Sequence, residues 1–252
     1  MKKFKSLMMM AAIATASLFS FTSCDDDPWD GPHDWDDPYG WYGDYDDWGW
    51  NSNYWNDGQY GSQDNTLTAM AQTLCSEWGG AMTYSYINED GQSRSTDQYY
   101  TTMKFFQYNS NNRSLSGEGV ETDYLLDEKG NPIENQSQTL DFSWYIQNNG
   151  DIYIKYKKNE STFVLDYGSS QRGFYLGEEN GKKNDVFYGY MIGTGSVNGD
   201  IIYIDLERMN DTGWSKKDIT RSADSTSVLK FGKAPYQVPL KGHAASSFNA
   251  RR

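Results

Sequence analysis

The stretch TLDFSWYIQNNGDIYIKY, residues 139–156, contains two short runs in which apolar and polar residues alternate on either side of a polar turn. Alternation with a period of two is typical of a β-strand with one buried face, because successive side chains point to opposite faces of the sheet. The apolar positions of the two runs are Leu140, Phe142, Trp144, Ile146, Ile152, Ile154 and Tyr156. The stretch therefore predicts a β-hairpin with one apolar face.

The length of the turn decides which residues of this hairpin lie opposite each other. A two-residue turn at Asn149-Gly150 would pair Trp144 with Lys155 and put the two apolar sets on opposite faces. A three-residue loop over 148–150 pairs Trp144 with Ile154 instead, and Gly150 takes the left-handed conformation. We choose the three-residue loop. The residues predicted to line the interior are Phe142, Trp144, Ile146, Ile152 and Ile154.

Further strand-like runs follow one another from residue 81 to residue 206. They are AMTYSYI, YYTTMKFFQY, LSGEGVETDYLL, STFVLDY, GFYLG, DVFYGYMIG and DIIYIDL. A two-residue turn at Asn198-Gly199 pairs Met191 with Leu206 and Gly193 with Ile204 in the last hairpin. About eight or nine antiparallel strands predict an all-β barrel or sandwich, and closure into a barrel is favoured because it removes exposed sheet edges.

One helix precedes the strands of this domain, which we place at residues 66–210. Its apolar positions have helical spacing and are Leu67, Met70, Ala71, Leu74 and Trp78. Asn65 or Thr66 can cap its start, and Gly79-Gly80 is expected to end it. Cys75 beside this stripe is predicted to be a small buried residue rather than a nucleophile. Residues 211–252 carry one strand-like run, 227–231, and are predicted to form a mobile tail.

The N-terminus carries an export signal at residues 1–23. Three lysines precede an apolar run from Leu7 to Phe21, and this run is too short for a membrane-spanning helix. Residues 21–24, Phe-Thr-Ser-Cys, resemble a bacterial lipobox, which implies cleavage before Cys24 and attachment of a lipid to its sulfur. Asp25–Asp27 resemble the acidic export signal of surface lipoproteins in one group of Gram-negative bacteria. The resemblance implies an outer-membrane protein, lipid-anchored and facing the cell exterior.

Residues 24–65 differ sharply in composition from the rest of the chain. Twelve Asp and no Lys or Arg lie between residues 25 and 65, together with six of the nine Trp. Gly and Pro interrupt every candidate element, so we predict a disordered acidic tether that packs on nothing. Its candidate ligand or partner contacts are Trp41, Trp48, Trp50 and Trp55. The run 44–49 lacks the ligand spacing of a calcium loop, and no metal site is predicted.

The helix, the LSGEGVETDY stretch, the FSWYI run and the IYIKY run together resemble the lipocalin-like domains of bacterial surface lipoproteins. This resemblance covers about residues 66–210 and brings no catalytic or ligand residue with it. It implies an up-and-down antiparallel barrel of about eight strands with one N-terminal helix. Such a barrel is just wide enough for its own side chains or for one small ligand.

Charge and residue types limit the possible functions. A net charge of −13 gives no electrostatic basis for nucleic-acid binding, which depends on Lys and Arg. His33 and His243 are the only histidines, and both lie outside the domain. Glu118 and Glu121 lie on opposite faces of one strand, and we predict that both are solvated charges. We predict neither an enzyme nor a cofactor.

Two functional hypotheses remain. The first is a lipid-anchored surface module that captures a small molecule, a lipid or a glycan segment. The alternative is a structural or interaction subunit of an outer-membrane assembly, with a filled barrel and an outer-membrane protein as partner. The large size of the predicted interior residues favours a filled barrel, and a cavity of about 300 Å³ or more would favour ligand capture.

Overall fold

The computed structural model describes residues 49–51, 54, 65–108, 113–209, 229–237 and 240–248. The secondary-structure elements of these ranges are α1 (Asn65–Leu74), β1 (Glu77–Ile87), β2 (Arg94–Gln107), β3 (Ser116–Leu126), β4 (Pro132–Ile146), β5 (Ile152–Tyr156), β6 (Thr162–Leu165), β7 (Phe174–Gly177), β8 (Val186–Thr194), β9 (Ile201–Arg208), β10 (Lys230–Gly232) and β11 (His243–Ala244). Within these ranges no helix has the length and apolar content that a membrane crossing requires.

The strands form a closed eight-stranded antiparallel barrel, which confirms the predicted fold. Strands adjacent in the chain pair with each other from β1 to β6, and β9 closes the sheet by pairing with both β1 and β8. β6 and β7 pair one after the other with the same edge of β8, at 192–194 and at 186–189. They therefore act as one strand interrupted by residues 166–173, and the barrel has up-and-down order.

The hairpin of β4 and β5 has the predicted register. Trp144 lies opposite Ile154, and Ile146 lies opposite Ile152. Gly150 adopts a φ of 94° and donates its N–H to the carbonyl of Gln147 at 2.8 Å. A left-handed residue at this position closes a three-residue loop, and glycine takes that conformation without a steric penalty.

The predicted register of the β8–β9 hairpin is wrong. Met191 pairs with Ile202 rather than with Leu206, and the Gly193 N–H bonds to the carbonyl of Asp200 at 2.8 Å. The cause is a 3₁₀ turn at Gly195–Val197, which lengthens the connection beyond the expected Asn198-Gly199 turn. The shift amounts to four residues, an even number, so the apolar residues stay on the predicted face.

The helix is shorter than its apolar pattern predicted. It ends at Leu74, and Trp78 with both glycines belongs to β1. The Trp78 indole N–H donates to the carbonyl of Leu74 at 2.9 Å and so satisfies a helix-end acceptor from the following strand. Gly80 does not end the helix but allows β1 to lie close to β9, since a Cβ there would lie 2.2 Å from the Asp205 carbonyl oxygen.

Two glycines of β3 make room for the largest interior rings. Gly117 lies opposite Trp144, and Gly119 lies opposite Phe142. A Cβ on Gly119 would lie 2.2 Å from the Phe142 ring, so any side chain there would displace that ring. Glycine paired with a cross-strand aromatic residue is a known device for covering an otherwise bare stretch of sheet.

The C-terminal residues do not form the predicted mobile tail where the structure describes them. We call residues 229–237 and 240–248 the belt. Its β10 pairs with β7, and its β11 pairs in parallel with β2. Its apolar side chains are buried against the barrel and include Phe231, Ala234, Leu240 and Ala245. Burial of these residues explains why the segment is held on the barrel surface.

Candidate functional site

The predicted site residues fall into three groups. The five predicted interior residues are fully buried in the central core: Phe142, Trp144, Ile146, Ile152 and Ile154. Trp50 lies on the outside of the barrel. Cys24, Trp41, Trp48 and Trp55 lie outside the described residues, as does the signal peptide.

Aromatic rings contact each other across the barrel interior. The Phe105 ring of β2 lies 6.3 Å from the Phe187 ring of β8, although β1 and β9 separate these strands in the sheet. The ring centroid of Phe105 also lies 5.0 Å from that of Phe142 on β4, so the ring contacts extend from β8 through β2 to β4. The rings thus occupy the space that a small ligand would need in a barrel of this size.

Both ends of the barrel are covered by other segments of the chain. The apolar side of α1 joins the core where β1 begins, with Leu74 fully buried. At the end where β2 begins, Ala245 of the belt is buried and Phe248 stacks on Tyr99 with 6.3 Å between ring centroids. A ligand would have to displace one of these segments to reach the interior.

Part of the interior is polar, and the sequence prediction for Glu121 was wrong. Glu121 is completely buried and accepts a hydrogen bond from the Tyr156 hydroxyl at 2.6 Å. The nearby Asp123 accepts from Thr101 at 2.7 Å and from Gln138 at 2.9 Å. Their alternation with Gly119 on β3 is the sequence signal that could have identified both carboxylates as inward-facing.

Metal binding and thiol chemistry find no support among the described residues. No group of three or more His, Cys, Asp or Glu side chains in these ranges is arranged to hold a metal ion. Cys75 packs against the core, and burial raises the pKa of its thiol, so the reactive thiolate is scarce at neutral pH. Cys75 was predicted to be buried and is only partly buried, and its packing against the core is that of a structural residue.

Trp50 belongs to an aromatic cluster on the outer face of β4 and β5, which we call the Tyr145 cluster. Its members are Trp50, Tyr54, Tyr145 and Tyr153. The Tyr145 and Tyr153 rings stack at 4.7 Å, and Trp50 meets Tyr145 edge-on at the same centroid distance. The Asn51 N–H donates to the Tyr145 hydroxyl at 3.2 Å. Trp50, Asn51 and Tyr54 of the predicted tether therefore pack on the barrel, contrary to the prediction.

The electrostatics of the Tyr145 cluster keep the Tyr153 phenol neutral. Burial, followed by the nearby charge of Asp151, raises the pKa of Tyr153 to about 12. Burial also raises the pKa of Asp151, against the hydrogen bonds that it accepts from the Tyr167 N–H and from Asn149. Neutral phenols at physiological pH act in stacking and hydrogen bonding and do not act as bases.

A second set of tyrosines, which we call the tyrosine row, lies on the outer face of β7 and β8 and in the belt: Tyr175, Tyr188 and Tyr236. Tyr175 and Tyr188 stack at 5.2 Å, and Tyr236 of the belt packs edge-on against Tyr188 at 5.4 Å. The Tyr236 hydroxyl donates to an Asp205 carboxylate oxygen at 3.0 Å, while 52% of its side chain remains exposed. Burial raises the pKa of both Tyr188 and Tyr236.

Comparison with protein-family models, with curated proteins and with solved structures finds no match to this chain.

Packing of Trp50 and Tyr54 predicts a measurable contribution of the tether end to stability. The double variant Trp50→Ala/Tyr54→Ala uncovers Tyr145 and should lower the free energy of unfolding by about 1–3 kcal/mol, at about 0.5–1.5 kcal/mol for each aromatic pair. Urea denaturation measures the change, with Phe106→Ala as the control, since Phe106 is 47% exposed. Equal stabilities for the double variant and the wild type would show that the tether end does not hold this position.

Proposed function

We propose that this protein is a lipid-anchored cell-surface binding module that contacts its ligand or partner through the outside of a filled barrel. One observation carries the proposal: large side chains occupy the interior, while on the outer face Tyr236 is 52% exposed and Tyr175, stacked on the buried Tyr188, is partly exposed. Tyrosine supplies broad contact area with little loss of conformational entropy, and it is enriched at recognition surfaces. Binding, rather than catalysis, is the activity that such a surface supports.

The same observation favours a second candidate, an interaction subunit of an outer-membrane assembly. A filled barrel is a rigid support, and the tyrosine row could lie against a protein as well as against a ligand. The two candidates differ in what the outer face contacts. They share the claim that the interior is not the binding site.

An anchor at Cys24 fits display of this outer face to the cell exterior. Twenty-four residues separate Cys24 from Gly49, a length that spans at most about 90 Å when fully extended. The many aspartates of this stretch would be repelled by an anionic lipid surface. Both properties favour a barrel held away from the membrane.

Photocrosslinking in the bacterium that makes the protein tests the proposal. Tyr175 of the tyrosine row is replaced by p-benzoylphenylalanine, and Gln136, exposed on β4, is replaced in the control. We expect an adduct from position 175, none from position 136, and loss of both the adduct and membrane sedimentation in a Cys24→Ser background. Adducts of equal yield at the two positions, or none at 175, would overturn the proposal.

The chemical nature of the adduct separates the two candidates. A discrete increase in mass that protease removes would identify a protein partner and support the interaction subunit. An adduct that resists protease and stains for sugar or lipid would support ligand capture.

A further inference from the structure

Ala81 lies in the outer wall of β1 where the buried outward positions Thr83 and Ser85 give way to more exposed ones. It is the one exposed residue of that strand, while Thr83, the next outward residue, is 2% exposed. The belt contacts the strands on both sides of Thr83, since Gln98 donates to the Leu240 carbonyl at 3.4 Å and Tyr203 donates to the Gln237 carbonyl at 2.7 Å. The belt thus leaves a small uncovered surface at Ala81.

Tyrosines and a carboxylate border this surface, which we call the Ala81 notch: Gly79, Ala81, Tyr100, Asp205 and Tyr236. Ala81 pairs with Tyr100 on one side and with Asp205 on the other. With strands about 4.8 Å apart, the Cα atoms of Tyr100 and Asp205 lie about 10 Å apart. Tyr236 lies over the Asp205 side through its hydrogen bond to that carboxylate.

Gly79 lets the Tyr100 side chain lie along the sheet. A Cβ on Gly79 would lie 3.0 Å from the Tyr100 hydroxyl and 2.8 Å from the Met209 sulfur. The Tyr100 side chain therefore reaches across β1 and does not stand perpendicular to the sheet. This arrangement gives the notch an aromatic surface next to its alanine floor.

We infer that the Ala81 notch binds a single neutral sugar ring of a glycan. The inference deepens the proposed function, on which it rests, by naming a site and a ligand class. The apolar C–H face of a sugar ring packs on aromatic side chains, and its hydroxyls need acceptors of the carboxylate type. Tyr100 and Tyr236 supply the rings, and the second Asp205 carboxylate oxygen accepts no hydrogen bond from the described residues.

The charges around the notch select a neutral ligand over an anionic one. Asp205 has no ion-pair partner in the described part of the chain, while the nearby Glu207 and Glu77 are paired with Lys182 and Lys104 at 2.8 and 3.7 Å. A sulfate, a phosphate or an acidic sugar would meet a net negative charge, because Lys182 and Lys104 balance only two of the three carboxylates of Glu77, Asp205 and Glu207. Like charges brought together during binding are strongly unfavourable, so such ligands are excluded.

Affinity electrophoresis of the full-length protein through gels that contain a polysaccharide tests the inference. The neutral probes are dextran, yeast mannan, xylan and starch, and the anionic probes are chondroitin sulfate and polygalacturonate. We expect retardation by at least one neutral probe and by neither anionic probe. A single ring in a shallow site implies a weak complex, with a dissociation constant of about 1 mM per site.

Two variants connect the retardation to the notch. Ala81→Leu fills the floor, and Tyr236→Ala removes one aromatic border, so each should weaken retardation at least about fivefold. Thr139→Leu, which adds a similar side chain at an exposed strand position outside the notch, is the matched control and should behave as wild type. Thermal unfolding midpoints verify that each variant is folded.

Failure of this inference can be told apart from failure of the proposed function. No retardation by any neutral probe, or retardation that Ala81→Leu leaves unchanged, would overturn the sugar site even if position 175 still crosslinks. A protein adduct at position 175 that Ala81→Leu abolishes would assign the notch to a protein contact and would likewise overturn it.

Discussion

Trp144→Ala is expected to lower the free energy of unfolding by about 3–5 kcal/mol, the range for removing a large buried aromatic side chain. Trp144 is fully buried, and its indole N–H donates to the carbonyls of Phe106 and Glu118 at 3.2 and 3.1 Å. The substitution therefore leaves a cavity and removes the donor shared by two strands. Since the free energy of unfolding of a domain is about 5–15 kcal/mol, this substitution would remove a large share of it.

Lys155→Ala is the matched control on the outer face of the same hairpin. Lys155 forms a loose ion pair of 3.7 Å with Glu160, whose side chain is 79% exposed. Such exposed ion pairs contribute little to stability, so Lys155→Ala should lower the free energy of unfolding by less than about 1 kcal/mol. Urea denaturation of both variants measures the difference. A larger loss for Lys155→Ala than for Trp144→Ala would invert the assignment of inside and outside.

Removal of the belt, by deleting residues 229–252, is expected to destabilise the barrel by about 4 kcal/mol or more. Phe231 and Leu240 are each at most 5% exposed, and full burial of such side chains contributes about 1.5–3 kcal/mol apiece. The deletion also uncovers Tyr190 and Tyr203, whose hydroxyls bond to Gln237 at 3.0 and 2.7 Å. The urea midpoint of the shortened chain measures the loss.

Because the shortened chain could fail to fold, two point variants within β10 provide the decisive comparison. Phe231→Ala removes a buried ring and should cost about 3–5 kcal/mol, whereas Lys230→Ala changes an exposed side chain and should cost less than about 0.5 kcal/mol. Similar, small costs for both variants would mean that the belt does not pack on the barrel.

The sequence predicted the fold where a pattern with a period of two fixed the register. In the β4–β5 hairpin only one loop length put both apolar sets on the same face, and Trp144 pairs with Ile154 as that argument required. The β8–β9 hairpin lacked this constraint, because registers that differ by four residues keep the same face inside. A 3₁₀ turn at Gly195–Val197 decided between them, and no local pattern indicated it.

Contacts between segments far apart in the chain could not be predicted from local sequence patterns. Glu121 looked like a solvated charge until its partner Tyr156, 35 positions away, was known. The belt has few apolar residues, and their burial depends on a barrel surface formed by other strands. Gly80 was interpreted as a helix end because its true constraint, the Asp205 backbone, lies far away in the sequence.

The candidate site was predicted only in part. Trp50 was predicted as a contact residue because its segment is rich in tryptophan, and the structure places it in the Tyr145 cluster. The tyrosine row and the Ala81 notch were missed, because both require pairing between strands and the belt. The sequence signal of the tyrosine row, outward-facing tyrosines at alternate positions of β8, resembles ordinary sheet packing.

The claim that the barrel is filled is tested most directly by methyl NMR of isoleucine-labelled protein during titration with decanoate. Ile146, Ile152 and Ile154 lie in the interior and report on any ligand that enters it. We expect that none of these three methyl resonances shows a saturable shift. Saturable shifts confined to these interior methyls would contradict it and would return ligand capture to the inside of the barrel.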